Sequence, residues 1–167
     1  MQKWINMRYV SCFTGIGGLE GSIEPYAVCE IDSQCQRILG RKFPQSELIP
    51  DISEVSGFES DVIVGGWPCQ DLSVAGRMDG LQGVNSKQFY SLLKASERVK
   101  AHTLIAENVP NLLVLNKGNV FREVLAQLRE YGYRYCSWRT LNARQFGLPH
   151  QRNRVFLIAS AYENLCL

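Results

Sequence analysis

Short apolar runs alternate along this chain with segments whose apolar residues recur at helical spacing, and that order restricts the fold to a layered α/β sheet. The runs at 9–13, 26–31, 61–64, 103–106, 134–141 and 154–159 read as strands, with a short seventh near 48–49. The strongest helical pattern follows Lys117, where Val120, Phe121, Val124, Leu125, Leu128 and Tyr131 repeat every three or four residues and Gly132 supplies a stop. Weaker patterns predict helices over 18–24, 33–42 and 87–100. A doubly wound, mostly parallel, Rossmann-like sheet in one domain spanning 1–167 is expected. The composition agrees: 167 residues, 46% hydrophobic and 20% charged, can bury a core. No run approaches the roughly 18 apolar residues of a membrane span, and the first ten residues have no signal-peptide character. A soluble cytoplasmic protein with no membrane partner is expected.

Net charge is only +2, too little to mark a nucleic-acid binder by bulk charge. The charge is uneven, however. Positions 1–66 hold 5 Lys/Arg and 9 Asp/Glu, whereas 67–167 hold 13 and 7. That imbalance suits a neutral or cationic cofactor on one side and a phosphate-bearing partner on the other, although solvated surface produces the same count. The six cysteines include no C-x-x-C, and only His102 and His150 add imidazoles, so neither a metal site nor a disulfide framework is expected. Cys12, Cys29 and Cys136 lie in apolar or β-branched runs and read as small buried hydrophobes.

The first strand runs into Phe13-Thr14-Gly15-Ile16-Gly17-Gly18, a turn that lets the backbone approach a nucleotide closely. A dinucleotide fingerprint would place its third glycine at position 20, which is Glu20, a poor neighbour for a pyrophosphate. Glu30, at the end of the second strand, is placed to accept hydrogen bonds from ribose hydroxyls. A nucleoside without phosphates therefore fits better than a nicotinamide dinucleotide. A plain tight turn with a surface acid is the alternative.

The run at 61–64 leads through Gly65-Gly66-Trp67 to Pro68-Cys69-Gln70, opening a glycine-containing loop over 67–86. A thiol just past a strand's carboxyl end, beside the first strand, faces the crevice where such sheets bind ligands. A thiolate there is a strong nucleophile, and an inert loop cysteine is the alternative. The run at 103–106 ends in Glu107-Asn108-Val109-Pro110, a second reactive group at a carboxyl end, where burial favours a proton-donating neutral acid. A salt-bridged structural glutamate fits equally. Arg152 and Arg154, two residues apart at the start of the last strand, point to one face and suit phosphate or carboxylate recognition.

In this order the segments closely resemble the cytosine-5 DNA methyltransferases. Phe13 through Gly18 are similar to the family's first cofactor motif, Glu30 to its ribose-binding acid, and Asp51-Ile52 to the pair that holds adenine. Pro68-Cys69-Gln70 resembles the nucleophile motif, Glu107-Asn108-Val109 the base-holding acid motif, and Gln151-Arg152-Asn153-Arg154 the arginine motif. Asn142 through Pro149 is similar to the segment before those arginines. Ile31 stands where the family often has an aromatic that stacks on adenine, and the match weakens between Ser86 and Lys100. The family's target-recognition domain and its final helix have no counterpart in these residues.

The resemblance implies a methyltransferase-type Rossmann-like fold and methyl transfer from S-adenosylmethionine, leaving S-adenosylhomocysteine, to carbon 5 of a cytosine flipped out of DNA. It implies Cys69 as nucleophile, Glu107 on the base, Arg154 orienting the base with Arg152 in support, and Pro68, Gln70, Asn108 and Val109 near the substrate. Phe13 through Gly18, Glu30, Ile31, Asp51 and Ile52 would hold the cofactor, with no metal. DNA is the expected partner, and a second polypeptide carrying the target-recognition region would complete the enzyme. The alternatives are RNA cytosine methylation, a cofactor-binding subunit that does not turn over, and a nicotinamide oxidoreductase. The last is disfavoured by Glu20 and explains neither Cys69 nor Glu107.

Overall fold

The computed structural model describes residues 7–68 and 87–163. In these, seven strands form one sheet: β1 (Tyr9–Cys12), β2 (Ala27–Cys29), β3 (Glu47–Ile49), β4 (Val62–Gly65), β5 (Thr103–Asn108), β6 (Tyr135–Asn142) and β7 (Asn153–Ser160). Their spatial order is β3-β2-β1-β4-β5-β7-β6. The first five are parallel, and β7 runs antiparallel between β5 and β6. The order reverses between β1 and β4, which pair directly with Cys12 opposite Gly65. That crevice is where a doubly wound sheet binds ligands.

Among the described residues three α-helices cover the sheet: α1 (Ser33–Lys42), α2 (Lys87–Arg98) and α3 (Asn119–Glu130). Alternation along the strands separates the two faces. Val10, Cys12, Ala27, Cys29, Ile63, Leu104, Ala106, Val155 and Leu157 pack with Phe89, Leu92, Leu93 and Val99 of the α2 region and Val120, Val124 and Leu128 of α3. The opposite face carries a small cluster of Val28 with Leu39 and Phe43 from α1 and its cap. Beyond that cluster the second face is thinly covered: Val64, Ile105, Phe156 and Ile158 are only half-buried, while the residues alternating with them are buried.

Helix limits follow local chemistry. The Asp32 carboxylate accepts from the Gln34 and Cys35 amides and caps α1, whose last turn carries Arg41 and Lys42. Gly132, at φ +90°, ends α3 as its sequence position predicts, with its amide donating to the Arg129 carbonyl.

Two expectations need correction. Residues 18–24 are turns, not a helix. Gly21 sits at φ +61° and Pro25 follows, so the backbone cannot keep the right-handed geometry that the short apolar pattern suggested. The run at 103–106 extends through Asn108, because β7 supplies a partner for each added residue, pairing Glu107 with Phe156 and Asn108 with Val155. Pro110 then opens a 3-10 turn, Pro110–Leu113. The segment holding Cys69 and Gln70, and with it most of the expected 67–86 loop, lies outside the described residues.

Candidate active site

The glycine turn leaves the end of β1 through a left-handed Phe13 at φ +56°, followed by Gly15 at +57° and Gly17 at +79°. A left-handed phenylalanine is uncommon, since its Cβ crowds the backbone, and it persists only where neighbours fix it. Those neighbours are identifiable. The Thr14 amide donates to the Cys29 carbonyl at 3.2 Å, and the Thr14 hydroxyl lies within 3.0–3.2 Å of the Ser11 carbonyl, the Ser11 hydroxyl and the Cys29 carbonyl. On the far side of the turn the Lys42 ammonium donates to the Gly17 carbonyl, and a Cβ on Gly17 would lie 2.7 Å from the Phe43 ring.

Glu30 follows β2 with both carboxylate oxygens engaged: one accepts from the Gly15 amide at 2.7 Å and the other from the Asp32 amide at 2.9 Å. The carboxylate is thereby held at the strand end with lone pairs left for hydroxyl donors. Asp51 caps a single 3-10 turn, Ile52–Glu54, accepting from the Ser53 amide and hydroxyl, and those bonds hold its carboxyl below the usual range. Arg98 of α2 donates to the carbonyls of Ile52 and Val55 and locks that turn to the helix. Phe13, Glu30, Ile31, Asp51 and Ile52 share a cavity of about 380 Å³ with Gln88, Ser91, Lys94 and Arg98. Ile31 stands 78% exposed at its edge. The α2 residues were missed by sequence reasoning, yet their spacing of three, three and four is a polar stripe on one helix face.

The second half of the crevice lies at the ends of β4, β5 and β7. Glu107 and Arg154 form an ion pair at 2.7 Å, each about one-quarter exposed. A Cβ on Gly66 would sit 3.1 Å from the Glu107 carboxylate, so glycine there admits the acid against the β4 strand end. Buried Trp67 packs on Phe89 with ring centroids 5.0 Å apart and aims the chain toward Pro68, the last described residue before Cys69. Asn108 is also buried: its amide nitrogen donates to the Trp67 carbonyl at 3.3 Å and its oxygen accepts from the Val109 amide at 2.8 Å. Asn108 therefore joins the ends of β4 and β5 through backbone bonds. Trp67, which the sequence reading passed over, is the buried anchor for the segment that leads to the thiol.

Glu107, Arg152 and Arg154 line a second cavity, of about 440 Å³, together with Cys12, Phe13, Thr14, Ile16, Gly18 and Glu20. Phe13 is a wall common to both cavities. Glu30 with Asp51, and the Glu107–Arg154 pair, thus line two cavities that share Phe13 of the turn. No group of three or more His, Cys, Asp or Glu residues able to hold a metal occurs among the described residues. Hydrogen bonding to Cys29 and burial push the Cys12 thiol well above its ordinary value, which leaves that cysteine an unreactive core residue.

The chain is similar to known proteins over nearly its whole length. The chain is 37% identical over 168 residues to the type II methyltransferase M2.BsuMI of Bacillus subtilis, covering 95% of this chain and 43% of that protein. It is 28% identical to M.DsaV of Dactylococcopsis salina, with 95% and 47% covered. The chain therefore spans less than half the length of these relatives. Among solved structures, Dnmt2 of S. pombe superposes with a TM-score of 0.72 at 20% identity, covering 96% of this chain and 53% of that one. The methyltransferase EhMeth of Entamoeba histolytica gives 0.71 at 19%, covering 96% and 55%. These two share the fold. The family model for C-5 cytosine-specific DNA methylase matches residues 7–165, from the start of β1 past the end of β7, and the chain belongs to that family.

Proposed function

We propose that the protein methylates carbon 5 of cytosine in DNA through a covalent adduct on Cys69, using S-adenosylmethionine. The observation that carries this reading is the crevice itself: one turn separates a cavity bearing Glu30 and Asp51 from a cavity bearing the Glu107–Arg154 pair. Glu30 would take the ribose hydroxyls, and Asp51 with Ile52 the adenine edge. S-adenosylmethionine supplies an electrophilic methyl group. Carbon 5 of cytosine is a weak nucleophile, so Cys69 adds to carbon 6 and makes an enamine-like ring. Glu107 holds ring nitrogen 3 and the exocyclic amine, stabilising charge that develops on addition. Arg154 fixes the Glu107 carboxylate and offsets charge at the base carbonyl, with Arg152 in support. Once the methyl has moved, loss of the carbon 5 proton expels the thiolate and restores the ring.

More polypeptide takes part in this reading. The relatives are over twice the length that the chain covers, and the half-buried Val64, Ile105, Phe156 and Ile158 leave apolar sheet surface to be covered. A chain carrying the target-recognition region is the proposed partner. The test is trapping on an oligonucleotide containing 5-fluorocytosine, from which no proton can leave. A denaturation-resistant adduct with DNA, lost in Cys69→Ala, is expected. An adduct that survives that substitution overturns the nucleophile, and preferential trapping on RNA overturns the substrate.

A further inference from the structure

The cavity beside the glycine turn holds an acidic side chain that the proposed chemistry does not use. Glu20 is 7% exposed and lines that cavity. One carboxylate oxygen accepts from the Ser11 hydroxyl at 2.5 Å; the other is buried without a hydrogen-bond partner. Neither of the cavity's arginines pairs with it: Arg154 is bound to Glu107, and Arg152 lies exposed and forms no ion pair among the described residues. A buried carboxylate oxygen left unpaired is costly, so it calls for a donor that the described residues do not supply.

The donor's chemistry follows from position. Glu20 is fastened through Ser11 to Thr14, and Thr14 is fastened to the Cys29 carbonyl, one residue before Glu30. The carboxylate is thus built into the turn whose other side bears the ribose acid. A ligand whose nucleoside lies against Glu30 and whose remaining end passes Phe13 would bring that end into the cavity with Glu20. We infer that Glu20 is the anchor for the α-ammonium group of the cofactor's amino-acid end. This assignment rests on the proposed use of S-adenosylmethionine and adds a residue to it.

Calorimetry on the full chain tests it with three ligands: S-adenosylhomocysteine, its analogue lacking only the α-amino group, and 5′-methylthioadenosine, which lacks the amino-acid end. The wild-type chain should prefer the amine-bearing ligand over its deaminated analogue by about 10- to 100-fold, the range for a hydrogen bond between charged partners. Glu20→Gln should abolish that preference while leaving 5′-methylthioadenosine binding unchanged, which also shows that the variant is folded. Equal loss of all three ligands would make Glu20 a structural brace and overturn the inference, as would a wild-type chain indifferent to the amine. If the wild-type chain binds none of the three, the cofactor reading itself fails, and the inference with it.

Discussion

Gly17 tests the turn most sharply at the residue scale. Its φ of +79° and the Phe43 ring 2.7 Å from a would-be Cβ mean that alanine must adopt left-handed geometry and displace α1's cap. Gly17→Ala should destabilise the protein by about 2–4 kcal/mol, summing a left-handed penalty of about 1–2 with overpacking. Gly18 has no such φ and open space around a Cβ, so Gly18→Ala should leave stability within about 0.5 kcal/mol. Urea unfolding of the two variants checks both, and equal losses would refute the packing argument. In the proposed mechanism Glu107 acts on the base. Glu107→Gln should lower methyl transfer by about 10²–10⁴-fold, as for loss of a positioned acid, with S-adenosylhomocysteine affinity unchanged. A weakened affinity at unaltered rate would place Glu107 on the cofactor.

Elements differ in how strongly local sequence dictates them. α3 needed only its own apolar spacing and Gly132, and residues 33–42 gave α1 with both ends in place. Residues 18–24 show the converse, since a few apolar residues between glycines satisfy a helical pattern without being able to hold one. The junction of β5 with the edge of the sheet yields a pH prediction. Tyr133, just after α3, is buried and donates to the Ala101 carbonyl at 2.9 Å, and burial pushes its phenol from 10.0 to about 12. The folded state thus holds this proton more tightly than the unfolded state. Stability should be full below pH 10 and fall as pH rises toward 12, with Tyr9 contributing over the same window. Tyr133→Phe should cost about 1 kcal/mol near neutrality and flatten that decline. Chemical denaturation between pH 7 and 11 would show it, and an unchanged slope would refute the assignment.

Among the described residues the sheet has one face filled and one face thin. α2 and α3 close the first face, whereas the second has α1, a glycine turn and half-buried apolar strand residues. Sequence-specific DNA reading commonly takes about 1,000–2,500 Å² of protein surface, and the described elements are largely occupied by the sheet and its cover. The 167-residue chain alone is expected to bind duplex DNA weakly and without sequence preference. That binding should fall steeply, by about 10³-fold or more between 50 and 200 mM salt if six or more phosphates are contacted. Titration of duplexes of differing sequence, with and without a partner chain, measures this. Tight, selective binding by the chain alone would refute it.

The sequence by itself determined the strands, the three α-helices and the positions of the chemical groups, because periodicity, caps and strand ends are written locally. It placed Glu30, Arg152 and Arg154 at strand termini and Glu107 one residue short of where its strand ends, and the turn glycines Gly15 and Gly17 where the backbone needs positive φ. Only the tertiary structure decided which of these groups meet. Pairing of β5 with an antiparallel β7 sets Glu107 opposite Phe156, one strand over from Arg154, and the ion pair follows from that register. Asn108, expected from its motif near the substrate, also bonds to the Trp67 carbonyl because two parallel strands end side by side. Glu20, an awkward letter in a nucleotide fingerprint, became a buried carboxylate because a turn replaced the expected helix. Contacts between residues far apart in sequence depend on register and crossover, and no local pattern encodes either.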